Sequence, residues 1–130
     1  MTDAARILLV DDDRDIRESL HDALEDRGYA VVDAVDGLDA LQQIRDAADL
    51  PDIILLDLMM PRMSGAQFRA EMVKDERFKR VPVLVLTADA SARSRIEAMN
   101  VDGYLVKPVR LRDLYDRVAT LLDAARSQAG

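Results

Sequence analysis

The sequence predicts a three-layer α/β sandwich, a (βα)5 chain wound around a parallel five-stranded sheet. Three observations predict it. Short continuous runs at residues 7–10, 53–56 and 81–86 are rich in Val, Ile and Leu, the composition of strands buried on both faces. Stretches with helical spacing separate them. Strand and helix alternate five times, the order that yields a parallel sheet with right-handed crossovers. Short sheets of this kind commonly run 2-1-3-4-5, with ligands beyond the carboxyl ends of the strands, where the order reverses.

The elements follow in turn. After strand 1 (residues 7–10), Ile16, Leu20, Ala23 and Leu24 form the stripe of a first helix that stops at Gly28. Residues 29–34 read as a weaker, edge-like strand. Asp36 caps a second helix carrying Leu38, Leu41 and Ile44, with Pro51 beyond its end. The third strand, 53–56, leads to a helix capped by Ser64 that buries Phe68 and Met72. The fourth strand, 81–86, has Pro82 near its start and precedes a helix from about residue 91 to 99, with Asn100 placed for a left-handed stop. Residues 104–106 form the fifth strand, and the last helix carries Leu111, Leu114, Val118, Leu121 and Leu122. The tail, 127–130, is expected to fray. One domain fills residues 1–130, with an ordered core of about 5–125.

Composition narrows the function. The 130 residues are 49% hydrophobic and 33% charged, enough for a real core, and the net charge is −7. That acidic balance argues against gripping nucleic acid or an anionic membrane. Without cysteine there is no disulfide, zinc-thiolate or iron–sulfur site. No apolar run approaches a membrane span and no leader is evident, so a soluble, cytoplasmic protein is expected.

Chemistry collects at the strand ends. Asp11, Asp12 and Asp13 follow strand 1, Asp57 follows strand 3, Thr87 follows strand 4 and Lys107 follows strand 5. A parallel sheet opens all these loops on one edge. Asp13 is accounted for as the cap of the first helix, but one cap does not need three carboxylates. Carboxylates about 4 Å apart repel by roughly 4 kcal/mol per pair at an effective dielectric near 20. Hard oxygen ligands without His or Cys suit Mg²⁺, whose open positions take phosphate oxygens. A metal, a lysine and a hydroxyl around one carboxylate are equipped for phosphoryl transfer onto it.

Four blocks, in order along nearly the whole chain, resemble the receiver domains of bacterial two-component response regulators, in their chemotaxis-regulator-like single-domain form. They are Leu9 to Asp13, the stretch Asp57-Leu58-Met59-Met60-Pro61-Arg62-Met63-Ser64-Gly65, the pair Thr87-Ala88, and Gly103 to Pro108. The resemblance implies a flavodoxin-like fold and a phosphorylation switch. It makes Asp57 the phosphoacceptor, and Asp11 and Asp12 the acidic pair for Mg²⁺ (or Mn²⁺), with the Met59 backbone carbonyl as a further ligand. Thr87 and Lys107 would each hold a phosphoryl oxygen, Tyr104 would turn inward after Thr87, and the Lys107–Pro108 bond would be cis. The donor would be a histidine kinase, a histidine phosphotransfer protein or a small acyl phosphate. The output would be a downstream protein reading the face of helix 4, strand 5 and helix 5, with a monomer or a phosphorylation-dependent homodimer as the assembly. Such a module turns over no external substrate and touches neither nucleic acid nor membrane directly. Met59 and Asp89, each two residues past a site residue, would flank the acyl phosphate, and an apolar Met59 implies slow hydrolysis. Val109 departs from the aromatic that many of these domains carry after Lys-Pro.

Blander readings apply elsewhere. Met60 and Met63 are expected to pack, and His21 to be a solvated surface residue. Gly65 frees the backbone beside the Asp57 loop, and Gly103 introduces strand 5. Arg93, Arg95, Arg110, Arg112 and Arg117 on helices 4 and 5 suit a partner surface or a solvated face equally. A haloacid-dehalogenase-like phosphatase would put its nucleophile after strand 1 and its acidic pair late, the reverse of this order. A flavin or nucleotide module would need glycines where Asp11 to Asp15 stand. A receiver within a longer regulator or hybrid kinase is the remaining alternative; a stand-alone domain is expected.

Overall fold

A computed structural model describes residues 4–129. The chain runs β1 (Arg6–Val10), α1 (Arg14–Asp26), β2 (Ala30–Ala34), α2 (Gly37–Asp46), β3 (Ile53–Asp57), α3 (Gly65–Met72), β4 (Val83–Thr87), α4 (Arg93–Ala98), β5 (Gly103–Val106) and α5 (Leu111–Ala129). All five strands are parallel, in the order β2-β1-β3-β4-β5. β3 and β4 are buried at every residue, whereas edge strand β2 alternates between exposed and covered positions.

The continuous apolar runs divide by parity into two cores, because successive side chains of a strand face opposite ways. Leu8, Val10, Ile54, Leu56, Val83 and Val85 meet Leu41 and Ile44 of α2, Phe68 and Met72 of α3, and Ile96 of α4. Ile7, Leu9, Ile53, Leu55, Leu84 and Leu86 meet Leu20 and Leu24 of α1 and Leu114, Val118 and Leu122 of α5. Burying each of these side chains contributes about 1.5–3 kcal/mol.

Helix starts follow their caps: Asp13 accepts from Ile16 N–H, Asp36 from Asp39 N–H, and Ser64 from Gln67 N–H in a full capping box. Gly28 (φ +89°) and Asn100 (φ 53°) take left-handed conformations past the ends of α1 and α4. Several expectations are corrected. Leu38 is exposed, because the buried stripe of α2 is Gly37, Ala40, Leu41 and Ile44, and residue 38 falls a quarter-turn off it. Leu111 is also exposed, at the first turn of α5 beside Pro108 and Ile16. α4 begins at Arg93 rather than 91, since the Ser91 hydroxyl donates to the Asp89 carboxylate (2.6 Å) instead of capping the helix. α5 continues through Ala129, and Gly130 lies outside the described residues. No helix among the described residues is long and apolar enough to cross a membrane.

Candidate phosphoryl-acceptor site

Register explains the convergence. Val10 pairs with Leu56, Asp57 with Leu86, and Thr87 with Val106, so Asp11, Asp57, Thr87 and Lys107 all emerge at one edge. Asp11 and Thr87 are buried and Asp57 nearly so, whereas Asp12 is exposed. Carboxylate oxygens of Asp11, Asp12 and Asp57 lie within 4.8 Å of one another. Lys107 Nζ sits 2.9 Å from Asp11 Oδ2 and 3.5 Å from Asp57 Oδ1.

Local structure fixes each group. Asp11 Oδ1 accepts from the Asp13 backbone N–H (2.9 Å), and Arg17 donates to the Asp11 carbonyl (2.8 Å). The Lys107 backbone N–H donates to the Thr87 carbonyl (2.7 Å), and Thr87 Oγ1 accepts from the Asp89 N–H (3.0 Å). The Lys107–Pro108 bond is cis. Gly65 packs on the Asp57 loop so closely that a Cβ would lie 2.5 Å from the Asp57 carbonyl oxygen.

The electrostatics are those of a site short of positive charge. Burial, then the Asp11 charge, push the Asp57 carboxyl up to about 7 from its ordinary value, against the opposing pull of Lys107. Burial works against the charge of Lys107, but its hydrogen bond to Asp11 and the Asp57 charge outweigh that and raise its pKa. One ammonium thus serves two buried carboxylates. Three hard oxygen ligands with a deficit of positive charge fit a divalent cation such as Mg²⁺.

The remaining expected residues fall as follows. Met59 is exposed in the loop after β3, while Met60, Met63 and Tyr104 pack partly buried against the core on the α2–α4 side. Arg93 and Arg95 pair with Glu97 and Asp89, and Arg110 stands just before α5 rather than on it. His21 is not a solvated residue: Nδ1 lies 2.7 Å from Asp33 Oδ1 on β2 and Nε2 lies 3.3 Å from Glu25, with a quarter of the side chain exposed. Two residues received no role from the sequence. Arg17, partly buried and bonded to the Asp11 carbonyl, had no signal beyond lying on α1. Arg62 forms an ion pair with the buried Asp36, which sequence reading treats only as a cap.

A parallel 2-1-3-4-5 sheet with an acidic cluster, a hydroxyl and a lysine at its carboxyl edge defines a class of signalling module that accepts phosphoryl groups. Residues 7–119 match the family described as response regulator receiver domain, and the chain belongs to it. The response regulator MprA of Mycobacterium tuberculosis is 42% identical over 136 residues, covering 97% of this chain and 56% of that protein. MprA of Mycobacterium avium is 43% identical over 121 residues, covering 90% of this chain and 50% of that protein. The chain therefore spans about half the length of the curated relatives it matches. Among solved structures, the chemotaxis protein CheY4 of Vibrio cholerae superposes with a TM-score of 0.83 at 32% identity, covering 91% of this chain and 98% of that one. The response regulator TrrA of Thermotoga maritima, in complex with Mg(2+)-BeF, gives 0.80 at 33% identity, covering 90% and 98%.

Proposed function

We propose that Asp57 is the phosphoacceptor of this receiver, with Thr87 and Lys107 as its catalytic partners. The observation that carries the reading is the reach of Lys107 Nζ to both Asp11 and Asp57, groups from three strands at one edge. The donor is the phosphohistidine of a histidine kinase or histidine phosphotransfer protein, or a small acyl phosphate. An Asp57 carboxylate oxygen attacks phosphorus in line. The new O–P bond forms as the bond from phosphorus to the donor breaks: from phosphohistidine the imidazole leaves with the electron pair and takes a proton from solvent, and from an acyl phosphate the carboxylate leaves with it.

Asp11, Asp12, Asp57 and the Met59 backbone carbonyl would hold Mg²⁺, or Mn²⁺. When bound, the cation neutralises phosphoryl charge and keeps Asp57 ionised. Without that charge, burial and the Asp11 carboxylate favour the protonated form of Asp57, a poorer nucleophile. Lys107 and the Thr87 hydroxyl each take an oxygen of the arriving group, and Tyr104 on β5 follows Thr87. The α4–β5–α5 face then changes and a downstream protein reads it. This is a population shift, limited by how much better the phosphoryl group binds one state than the other. The reading adds no turnover of an external substrate and no nucleic-acid contact by this domain, a cytoplasmic setting, and a monomer or phosphorylation-dependent homodimer.

Intact mass after incubation with acetyl phosphate tests it. A Mg²⁺-dependent gain of one phosphoryl mass in the wild type, absent in Asp57→Asn, is expected; a gain retained by Asp57→Asn refutes the assignment. Thr87→Ala should still accept phosphate but lose the partner response.

A further inference from the structure

The loop joining β3 to α3, residues 58–64, is clasped at both ends. Where it leaves β3, the Leu58 N–H donates to the Leu86 carbonyl (3.2 Å), and the Gly65 N–H closes the loop onto the Leu58 carbonyl (2.9 Å). Towards α3 it is fastened to the start of α2. The Gly37 N–H donates to the Met63 carbonyl (3.2 Å), and a Cβ on Gly37 would lie 2.7 Å from both Met63 Cγ and the Met63 carbonyl oxygen. Beside it, Arg62 Nε reaches Asp36 Oδ2 at 2.5 Å.

Two features make that ion pair unusual. Arg62 has φ 62°, a left-handed conformation that glycine or asparagine would adopt more readily. Asp36 is buried and uses both oxygens, Oδ1 as the α2 cap for the Asp39 N–H (2.9 Å) and Oδ2 for Arg62. Burial works to raise the Asp36 pKa, yet the Arg62 guanidinium and the cap hydrogen bond hold it below the ordinary carboxylate value. An arginine thus occupies a glycine-type backbone position, its largely exposed side chain paired through Nε with a buried carboxylate. Between the two clasps only Met59, Met60 and Pro61 remain, and Met60 packs on the core.

We propose that Arg62 is a positioning residue for divalent-cation binding: its pair with Asp36 locks the β3–α3 loop onto α2 and so fixes Met59, two residues past Asp57. The proposal rests on the reading of Asp11, Asp12, Asp57 and the Met59 carbonyl as the cation site. Arg62 touches neither phosphoryl group nor metal; it acts through the loop, as groups that orient ligands do.

The test is the Mg²⁺ dissociation constant, measured by calorimetric titration on the whole chain. Arg62→Gly removes the ion pair while suiting the backbone angle, and Asp36→Asn keeps a good helix cap while removing the charge. Each is expected to weaken Mg²⁺ about tenfold, with Arg62→Lys recovering part of the loss. The phosphorylation rate of Arg62→Gly should return to the wild-type value at saturating Mg²⁺. An unchanged Mg²⁺ affinity in folded Arg62→Gly overturns the proposal while leaving the site reading intact. Failure of the wild type to bind Mg²⁺ overturns the site reading itself, and the proposal with it.

Discussion

Asp57→Asn should stabilise the metal-free domain, and do so only above acidic pH. In the folded protein the Asp57 carboxyl titrates at about 7, against 3.8 for an ordinary aspartate. Its folded pKa is raised, so between those values the folded state binds more protons than the unfolded one. The associated stability is fully present below about 3.8 and is lost as pH rises through about 7. At roughly 1.4 kcal/mol per pH unit over about three units, the loss approaches 4 kcal/mol. Asparagine carries no charge and escapes it, and the value of about 7 already includes the opposing pull of Lys107. Discounted for solvent screening at the open edge of the sheet, the expectation is about 2–3 kcal/mol in favour of Asp57→Asn at pH 8, on the order of 10 °C in Tm for a domain this size. The assay is urea unfolding followed by circular dichroism, in a chelator, from pH 4.5 to 8. The gap between variant and wild type should open steadily with pH, and Mg²⁺ at pH 8 should close it by stabilising the wild type more. A gap that is constant across pH, or a variant less stable than the wild type at pH 8, refutes the reasoning.

Two further outcomes follow from the same geometry. The Asp33 hydrogen bond raises the His21 pKa above 6.5, so its stabilisation is full below 6.5 and lost as pH rises through the folded pKa; His21→Gln should cost roughly 0.5–1 kcal/mol more at pH 6 than at pH 9, and equal urea midpoint shifts at both pH values refute it. Met59 offers no polar group to orient an attacking water, so Met59→Asn should hasten loss of phosphate from Asp57 by at least about tenfold, read as the decay of the phosphorylated intact mass; an unchanged decay rate removes Met59 from the account.

What could be read in advance, and what could not, divides along a physical line. Strands announced themselves because β1, β3 and β4 are buried on both faces and must be apolar throughout. Asp11, Asp57, Thr87 and Lys107 were legible because a parallel sheet brings every strand's carboxyl end to one edge, whatever the loops do. Leu38 and Leu111 misled for the opposite reason: an apolar residue near a helix end satisfies a stripe by eye, yet exposure turns on a quarter-turn or on where the helix overhangs the sheet. His21 was unreadable because its partner, Asp33, lies on the neighbouring edge strand, and no spacing within α1 encodes it.

Arg62 shows why the loops around such a site resist reading most. Its backbone angle argues for glycine, and its exposed side chain gives no sign of a buried partner, so neither local rule finds the pair. Only the position of Asp36, buried at the start of α2 and fixed there by its own cap hydrogen bond, makes the choice intelligible. The cap that starts α2 and the clasp that holds the site loop are the same carboxylate. A substitution that spares the cap but not the charge, Asp36→Asn, therefore separates helix initiation from cation binding, two functions the sequence writes with one residue.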